Sequence, residues 1–282
     1  MLSAVLTRVG RLRVTLIYAA ALAAVALALV DLGPRIQEKV IRHASTNLHN
    51  LGQGRIGTLI GSAFVNEAGP IYIWLPGLVA LLALGELVWE SRRLVVAFVV
   101  GHIGATLIVA AGLAAAIAAG LLSRSVADAA DVGMSYGAVA VLGTFTAAIP
   151  KPWRAAWRGW WLTVAVAAAV ISRGEFTEIG HTVALVLGMV VGSRFSRREG
   201  WSVDWTWTRG ALLVVGAGFG YLMIAYSDLS MYRVATLGAV GALAALAISL
   251  LAQTNSSAEA SIQSDSHASG GLSSNSPGIS HS

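Results

Sequence analysis

The sequence predicts an all-α protein whose helices form a polytopic transmembrane bundle, and composition and apolar runs are the two observations behind that prediction. Of the 282 residues, 56% are hydrophobic and only 12% are charged, and the mean hydropathy is +0.72. A soluble domain carries about 25% charged residues. The surface of this chain therefore lacks the groups that water solvates, and we expect a lipid bilayer to cover it.

Apolar runs long enough to cross a membrane recur along the chain. A membrane helix needs about 20 mostly apolar residues, because the hydrocarbon core is about 30 Å thick and each residue rises about 1.5 Å. Eight runs reach or approach this length, and they are 13–31, 71–89, 94–121, 132–149, 158–172, 177–193, 209–226 and 232–252.

The positions of the basic residues predict the orientation of the chain. There are 19 Lys and Arg residues against 14 Asp and Glu residues, and most of the basic ones lie in short clusters on the side of the N-terminus. Cytoplasmic loops of membrane proteins carry such an excess. We therefore expect a multi-pass protein of the plasma membrane with both termini in the cytoplasm, and no nucleic-acid partner.

The composition changes after the last apolar run. Residues 253–282 are rich in serine, contain neither Lys nor Arg, and have few bulky apolar side chains. Such a segment cannot bury enough apolar surface to fold, which predicts a disordered tail. The chain has no cysteine, which excludes disulfides and thiol catalysis, and its histidines do not have the spacing of a metal site.

Polar side chains inside apolar runs are costly and are therefore candidates for function. Ser135 lies near the start of the fourth run and His181 near the start of the sixth, at similar depth below the same face. A histidine that accepts the proton of a serine hydroxyl turns that serine into a nucleophile. Asp131 and Glu178 share the helix faces of Ser135 and His181, so either carboxylate would orient the imidazole.

The same residues also have a structural interpretation. A serine in a membrane helix commonly hydrogen-bonds within its own helix or to a neighbouring one. A buried histidine, whether His181 or His102 near the middle of the third run, can be a helix contact. Residue types and spacing leave both interpretations open.

Three segments resemble the rhomboid intramembrane serine proteases, and the likeness is to a divergent, bacterial rhomboid-like branch. Gly133–Gly143 (GMSYGAVAVLG) resembles the helix that carries the nucleophile in that family. Gly180–Gly188 (GHTVALVLG) is similar to the helix that carries the general base, and Ser62–Phe64 (SAF) looks like the stretch before the second span.

The resemblance implies peptide-bond hydrolysis in or beside the membrane by a Ser-His dyad. Ser135 would be the nucleophile and His181 the general base, with Gly133 and Tyr136 as supporting neighbours of the serine. Water would enter from the outer face, and the reaction would need no cofactor.

The resemblance also implies an organisation of the chain. A cytoplasmic N-terminus, 1–12, would precede a six-helix rhomboid-like core, 13–195. Two additional transmembrane helices, 196–252, would follow before the tail, 253–282.

Three departures from the family pattern bear on activity. The second span of the proteases carries a histidine and an asparagine that stabilise the oxyanion, whereas this chain has neither residue type between Asn66 and His102. Tyr136 replaces the glycine after the serine, and Ala184 stands where the family has a glycine on the partner helix. His102 is the one residue of the third span that would offer a substitute donor.

Three functions therefore remain open. The first is an intramembrane serine endopeptidase, indicated by Ser135 and His181. The second is a catalytically inactive rhomboid-like protein that binds transmembrane helices of other membrane proteins, favoured by the changed second span. The third is a small transporter, which would require repeats and several charges at the midplane, and of these the spans contain only His102 and Glu86.

Overall fold

The computed structural model describes residues 10–65, 71–197, 201–225 and 231–270, with side chains placed as far as residue 255. Within these ranges the chain forms ten α-helices and no strand. The helices are α1 (Arg13–Leu32), α2 (Pro34–Ala44), α3 (Leu48–Gly52), α4 (Thr58–Gly61), α5 (Ile71–Ala118), α6 (Ser135–Ala148), α7 (Lys151–Ile171), α8 (Phe176–Phe195), α9 (Trp207–Ala225) and α10 (Met231–Gly270).

All eight predicted apolar runs lie largely in these helices, which confirms the all-α polytopic architecture. Five helical segments are long and apolar enough to cross a membrane: Gly10–Leu32, Ile71–Ala118, Phe176–Phe195, Trp207–Ala225 and Met231–Asn255. The second contains two of the predicted runs, because α5 bends sharply at Glu90, where φ is 67°. Helix α6 is apolar but has only 14 residues, and α7 has 21 residues with basic side chains in its first half.

Helix α6 is the centre of the bundle. Every residue from Tyr136 to Ala148 is buried, and the helix packs mainly against α8 and the two halves of α5. The backbones of α6 and α8 approach so closely that a Cβ on Gly188 would collide with the backbone of Ala140, and one on Gly192 with that of Thr144. Glycines at these positions therefore bring the first residues of α6 and α8, which include the candidate dyad, close together.

The bundle has two ends of different character. The first, which we call the kink end, holds Glu90 and the start of α1. There the Glu86 carboxylate accepts hydrogen bonds from the backbone amides of Val14 and Thr15, at 3.0 and 2.9 Å, and from the hydroxyls of Thr15 and Ser91, at 2.7 and 2.6 Å. Glu86 thus satisfies the free amides that every helix N-terminus has, and this buried acid is fully engaged.

The opposite end, which we call the loop end, holds the first loop (residues 33–65), the segment 119–134 and the turn 172–175. The first loop consists of the short helices α2 to α4 and a 3₁₀ turn at Ser62–Phe64. The starts of α6 and α8 also lie at the loop end, so the loops cover the region around Ser135 and His181.

The C-terminal helix extends beyond the last apolar run. Helix α10 continues to Gly270, into the segment for which the composition predicts a disordered tail. The reason lies in the sequence of residues 253–269, which contains alanine, glutamate and glutamine, all good helix formers, and neither glycine nor proline. Residues 271–282 of the predicted tail and residues 1–9 of the predicted N-terminal segment lie outside the described residues.

Candidate active site

The segment before α6 is fastened to the first loop at three points. The amide of Gly133 donates to the Ser62 carbonyl at 2.9 Å, and the amide of Thr46 donates to the Asp131 carbonyl at 2.9 Å. The amide of Asp131 in turn donates to the Ser45 hydroxyl at 2.8 Å. Gly133 has a φ of 120°, a conformation that side chains strongly disfavour. This glycine therefore allows the turn that leads into Ser135.

Ser135 is the first residue of α6 and is half-buried. The preceding residue, Met134, provides no side-chain cap, and the first intrahelical bond runs from the Ala138 amide to the Met134 carbonyl at 3.0 Å. The amides of the first turn consequently have no intrahelical partner. Together with the helix dipole they make the surroundings of Ser135 favourable for a negative charge.

His181 lies in the second turn of α8 and is held by Glu178. The Glu178 Oε2 atom is 3.3 Å from His181 Nδ1, and the two residues are 8% and 3% exposed. A carboxylate at Nδ1 fixes the proton on that nitrogen, which leaves Nε2 with a free lone pair. Among the described residues His181 Nε2 has no hydrogen-bond partner. The imidazole is therefore held in place by Glu178, and its Nε2 atom is left without a hydrogen-bond partner among these residues.

Tyr136 packs against His181, the histidine of the predicted dyad. Its ring meets the His181 ring edge to face, with centroids 5.5 Å apart and an interplanar angle of 83°, and it fills the space beside Gly180 where a side chain would otherwise lie. In the described part of the chain, Ser135 Oγ forms no hydrogen bond with His181 or with any other group. The structure therefore brings Tyr136, Glu178 and His181 together and leaves the serine beside them unengaged.

Asp131 belongs to the same cluster. Burial raises the pKa of its carboxyl group to about 6, and the nearby His181 partly opposes that rise. The hydroxyl of Tyr136 lies near Asp131, Glu178 and Thr177 but forms no hydrogen bond of standard geometry within the described residues. The predicted supporting carboxylates thus both lie near the histidine, although only Glu178 contacts it.

His102 lies apart from this cluster. Its Nε2 is 3.1 Å from the hydroxyl of Ser62, and the two residues are 5% and 1% exposed. Its neighbour Gly101 packs against Ala140 and the Tyr136 carbonyl of α6. His102 therefore joins α5 to the first loop and does not contact Ser135 or His181. Sequence reasoning did not assign Ser62 a partner, and nothing in the local sequence pairs it with a histidine forty positions away.

Comparison with known proteins agrees with this architecture. A family model described as "Rhomboid-like protein" matches residues 8–198, which is about two thirds of the chain. The chain belongs to the rhomboid-like protein family. No curated protein and no solved structure matches it.

The matched region includes Ser135 and His181. The matched region contains helices α1 to α8 and ends near the C-terminus of α8, so that α9 and α10 lie beyond it. Among the described residues, no cluster of three or more His, Asp or Glu side chains has the arrangement of a metal site.

Proposed function

We propose that this rhomboid-like protein is an intramembrane serine endopeptidase with Ser135 as nucleophile and His181 as general base. The observation that carries the proposal is the state of His181. Glu178 holds its Nδ1, and its Nε2 is buried without a partner next to the helix that begins at Ser135. Burying an acceptor without a hydrogen-bond partner costs about 1–3 kcal/mol. A catalytic base needs such a free acceptor, which gives this cost a functional reason.

The proposed reaction follows from these groups. Ser135 Oγ attacks the carbonyl carbon of the scissile peptide bond while His181 Nε2 accepts its proton. The protonated His181 then gives this proton to the leaving nitrogen as the C–N bond breaks. Water hydrolyses the resulting ester, with His181 again as the base. Glu178 stabilises the imidazolium formed in each step.

The oxyanion of the tetrahedral intermediate needs hydrogen-bond donors. The second span, in the first half of α5, has no histidine or asparagine, and His102 is bonded to Ser62. The amides at the start of α6 are the remaining donors beside Ser135, and a helix N-terminus stabilises negative charge. We therefore assign oxyanion stabilisation to the α6 N-terminus.

The proposal requires one local rearrangement. Ser135 Oγ must approach His181 Nε2 to hydrogen-bond distance, and the Tyr136 ring lies against the imidazole. Catalytic hydrogen bonds are often long in structures without substrate and tighten when substrate binds. We infer that a substrate segment entering at the loop end moves Tyr136 and closes the dyad.

A second function is favoured by the same tyrosine. A protein that binds transmembrane helices without cleaving them has no need of a Ser-His hydrogen bond, and Tyr136 packed against Gly180 would keep the dyad apart. A transporter has less support, because the Glu86 carboxylate caps α1 through three hydrogen bonds and accepts a fourth from Ser91. We also propose that both termini are cytoplasmic, that the protein lies in the plasma membrane, and that the loop end faces outward.

The test is labelling with a fluorophosphonate probe, with mass spectrometry to identify the modified serine. The full chain in detergent is compared with Ser135→Ala, His181→Ala and, as a matched control, Ser62→Ala, which removes the serine that does bond a histidine. Labelling at Ser135 that both dyad substitutions abolish and Ser62→Ala retains would support the endopeptidase. No labelling of folded wild type would favour the non-cleaving protein, and labelling at Ser62 would overturn the assignment of the nucleophile.

A further inference from the structure

A cavity of about 230 Å³ lies between α1, the first loop and the second half of α5, away from the candidate dyad. Its wall is almost wholly apolar, with Tyr18 and His102 as the polar exceptions. The hydroxyl of Tyr18 donates to the Ala63 carbonyl at 2.6 Å, and His102 is bonded to Ser62. Both polar side chains are thus tied to the first loop, although His102 Nδ1 has no hydrogen-bond partner among the described residues, and a guest would meet an almost wholly apolar surface.

The cavity opens toward lipid. Its inner wall includes Leu82 and Leu94, which are buried, whereas Val95, Val99 and Ile60 at its rim are 42%, 43% and 65% exposed. The rim valines lie on a helix that crosses the membrane, so the opening is at the depth of the hydrocarbon core. Water is absent at that depth, and acyl chains are the molecules that surround the opening.

The shape of the cavity matches an extended guest. Its lining residues on the second half of α5 run from Leu94 to Ile103, a rise of about 13.5 Å along an axis that crosses the bilayer. One end lies beside the short helix α4 of the first loop and the other near the kink end. Lipid chains run along the same direction. A guest entering from the loop end would keep its polar group near the loops.

We propose that this cavity binds one acyl chain of a bilayer phospholipid. Apolar cavities of about 150 Å³ stay dry and accept small hydrocarbons, and this cavity is larger. Left empty, it would deprive its lining of dispersion contacts. A bound chain restores them without exposing any polar group. The bound lipid would pack α1 against α5 and against the 3₁₀ turn that carries Ser62.

The experiment uses the full chain in vesicles of phosphatidylcholine and phosphatidylglycerol that contain a phospholipid with a photoactivatable diazirine in its acyl chain. After illumination, modified peptides are quantified by mass spectrometry as the mole fraction of the probe is raised. We expect labelling of the Leu94–Ile103 stretch to saturate, as for a binding site. Labelling of the exposed face of α10, which contacts bulk lipid, should rise in proportion to the probe.

Two pairs of neighbouring valines provide matched variants. Val95 and Val99 line the cavity, whereas Val96 and Val100, 41% and 36% exposed, lie on the same turns of α5 and do not line it. Val99→Trp should fill the cavity and abolish the saturable component, and Val96→Trp should retain it. Val95→Trp serves as the second filling variant, and thermal unfolding in detergent shows that each variant is folded.

Two outcomes would overturn the proposal. One is labelling of the Leu94–Ile103 stretch that rises in proportion to the probe in wild type, which would mean ordinary lipid contact. The other is a photoactivatable residue at Val99 that cross-links to a polypeptide in native membranes and to no lipid, which would identify the occupant as a protein helix. Neither outcome depends on whether Ser135 is reactive.

Discussion

The bundle contains two buried serine–histidine neighbourhoods, and they differ in what each histidine nitrogen contacts. In the first, Ser62 Oγ and His102 Nε2 are 3.1 Å apart and both residues are almost completely buried. In the second, His181 has a carboxylate at Nδ1 and, within the part of the chain that the structure describes, no hydrogen-bond partner at Nε2, and Ser135 is half-buried at a helix N-terminus. The serine–histidine hydrogen bond is therefore in the first neighbourhood, and the arrangement suited to catalysis is in the second.

This difference separates a structural pair from the proposed reactive pair. A buried serine bonded to a histidine that has no carboxylate partner joins two segments of the chain. A histidine held at Nδ1 by a carboxylate, with a serine at the start of the neighbouring helix, has the groups that nucleophilic catalysis requires. The carboxylate and the free amides thus indicate function better than the serine–histidine distance does.

Among the substitutions that test this comparison, we expect Glu178→Gln to have the largest effect. The amide cannot fix the proton on His181 Nδ1 as the carboxylate does, and it cannot stabilise an imidazolium. We expect the rate of fluorophosphonate labelling at Ser135 to fall about 10²–10⁴-fold, the range that general-base catalysis contributes. The measurement is the labelling rate at several pH values, with thermal unfolding to confirm the fold.

The matched control is Glu175→Gln, which alters an exposed acid one turn earlier at the start of the same helix. It should leave the labelling rate within about twofold of wild type, because an exposed charge contributes little. Equal losses in both variants would mean that the charge at the α8 N-terminus matters and the hydrogen bond to His181 does not.

Loss of the hydrogen bond between Ser62 and His102 should lower the stability of the protein. Ser62→Ala leaves His102 Nε2 buried without a partner, which costs about 1–3 kcal/mol. We expect a lower midpoint of thermal unfolding in detergent, with labelling at Ser135 retained in the folded fraction. The control Ser125→Ala, in an exposed turn whose serine bonds only Ser123, should leave the midpoint unchanged. Unchanged stability in Ser62→Ala would remove the distinction between the two neighbourhoods.

Gly180→Ala tests the packing of the Tyr136 ring between Gly180 and His181. The added Cβ would collide with the Tyr136 ring, and crowding of this kind costs about 1–3 kcal/mol. We expect a lower unfolding midpoint and a changed labelling rate, because the displaced ring also contacts His181. Gly112→Ala, whose Cβ would meet nothing within 4 Å, should be neutral or slightly stabilising. A Gly180→Ala variant with the unfolding midpoint and labelling rate of wild type would show that the Tyr136 ring moves freely.

Sequence reasoning could predict the fold but only part of the site. The helices follow from apolar runs, and runs of that length have few other structures open to them. The contact between Glu178 and His181 follows from their spacing of three residues on one helix, whereas the closeness of Asp131 to His181 depends on how the segment before α6 packs against α8. The bond between Ser62 and His102 depends on how the first loop folds onto α5, and the position of the Tyr136 ring depends on the absence of a side chain at Gly180. Contacts between segments that are distant in the chain produce no local periodicity in the sequence from which they could be predicted.

The smallest effect concerns Asp131, which approaches the reactive neighbourhood without bonding to its histidine. Its pKa is raised to about 6 in the folded protein, against about 3.9 in an unfolded chain. Between these values the folded state binds more protons than the unfolded state, so stability should decline as the pH rises from about 4 to about 6 and then level off. Asp131→Asn should remove this part of the slope, measured as the unfolding midpoint against pH. Asp31→Asn, at an exposed position, should leave the slope intact. A slope that Asp131→Asn does not change would place the carboxyl group in contact with water, and Glu178 would then be the only buried acid beside His181.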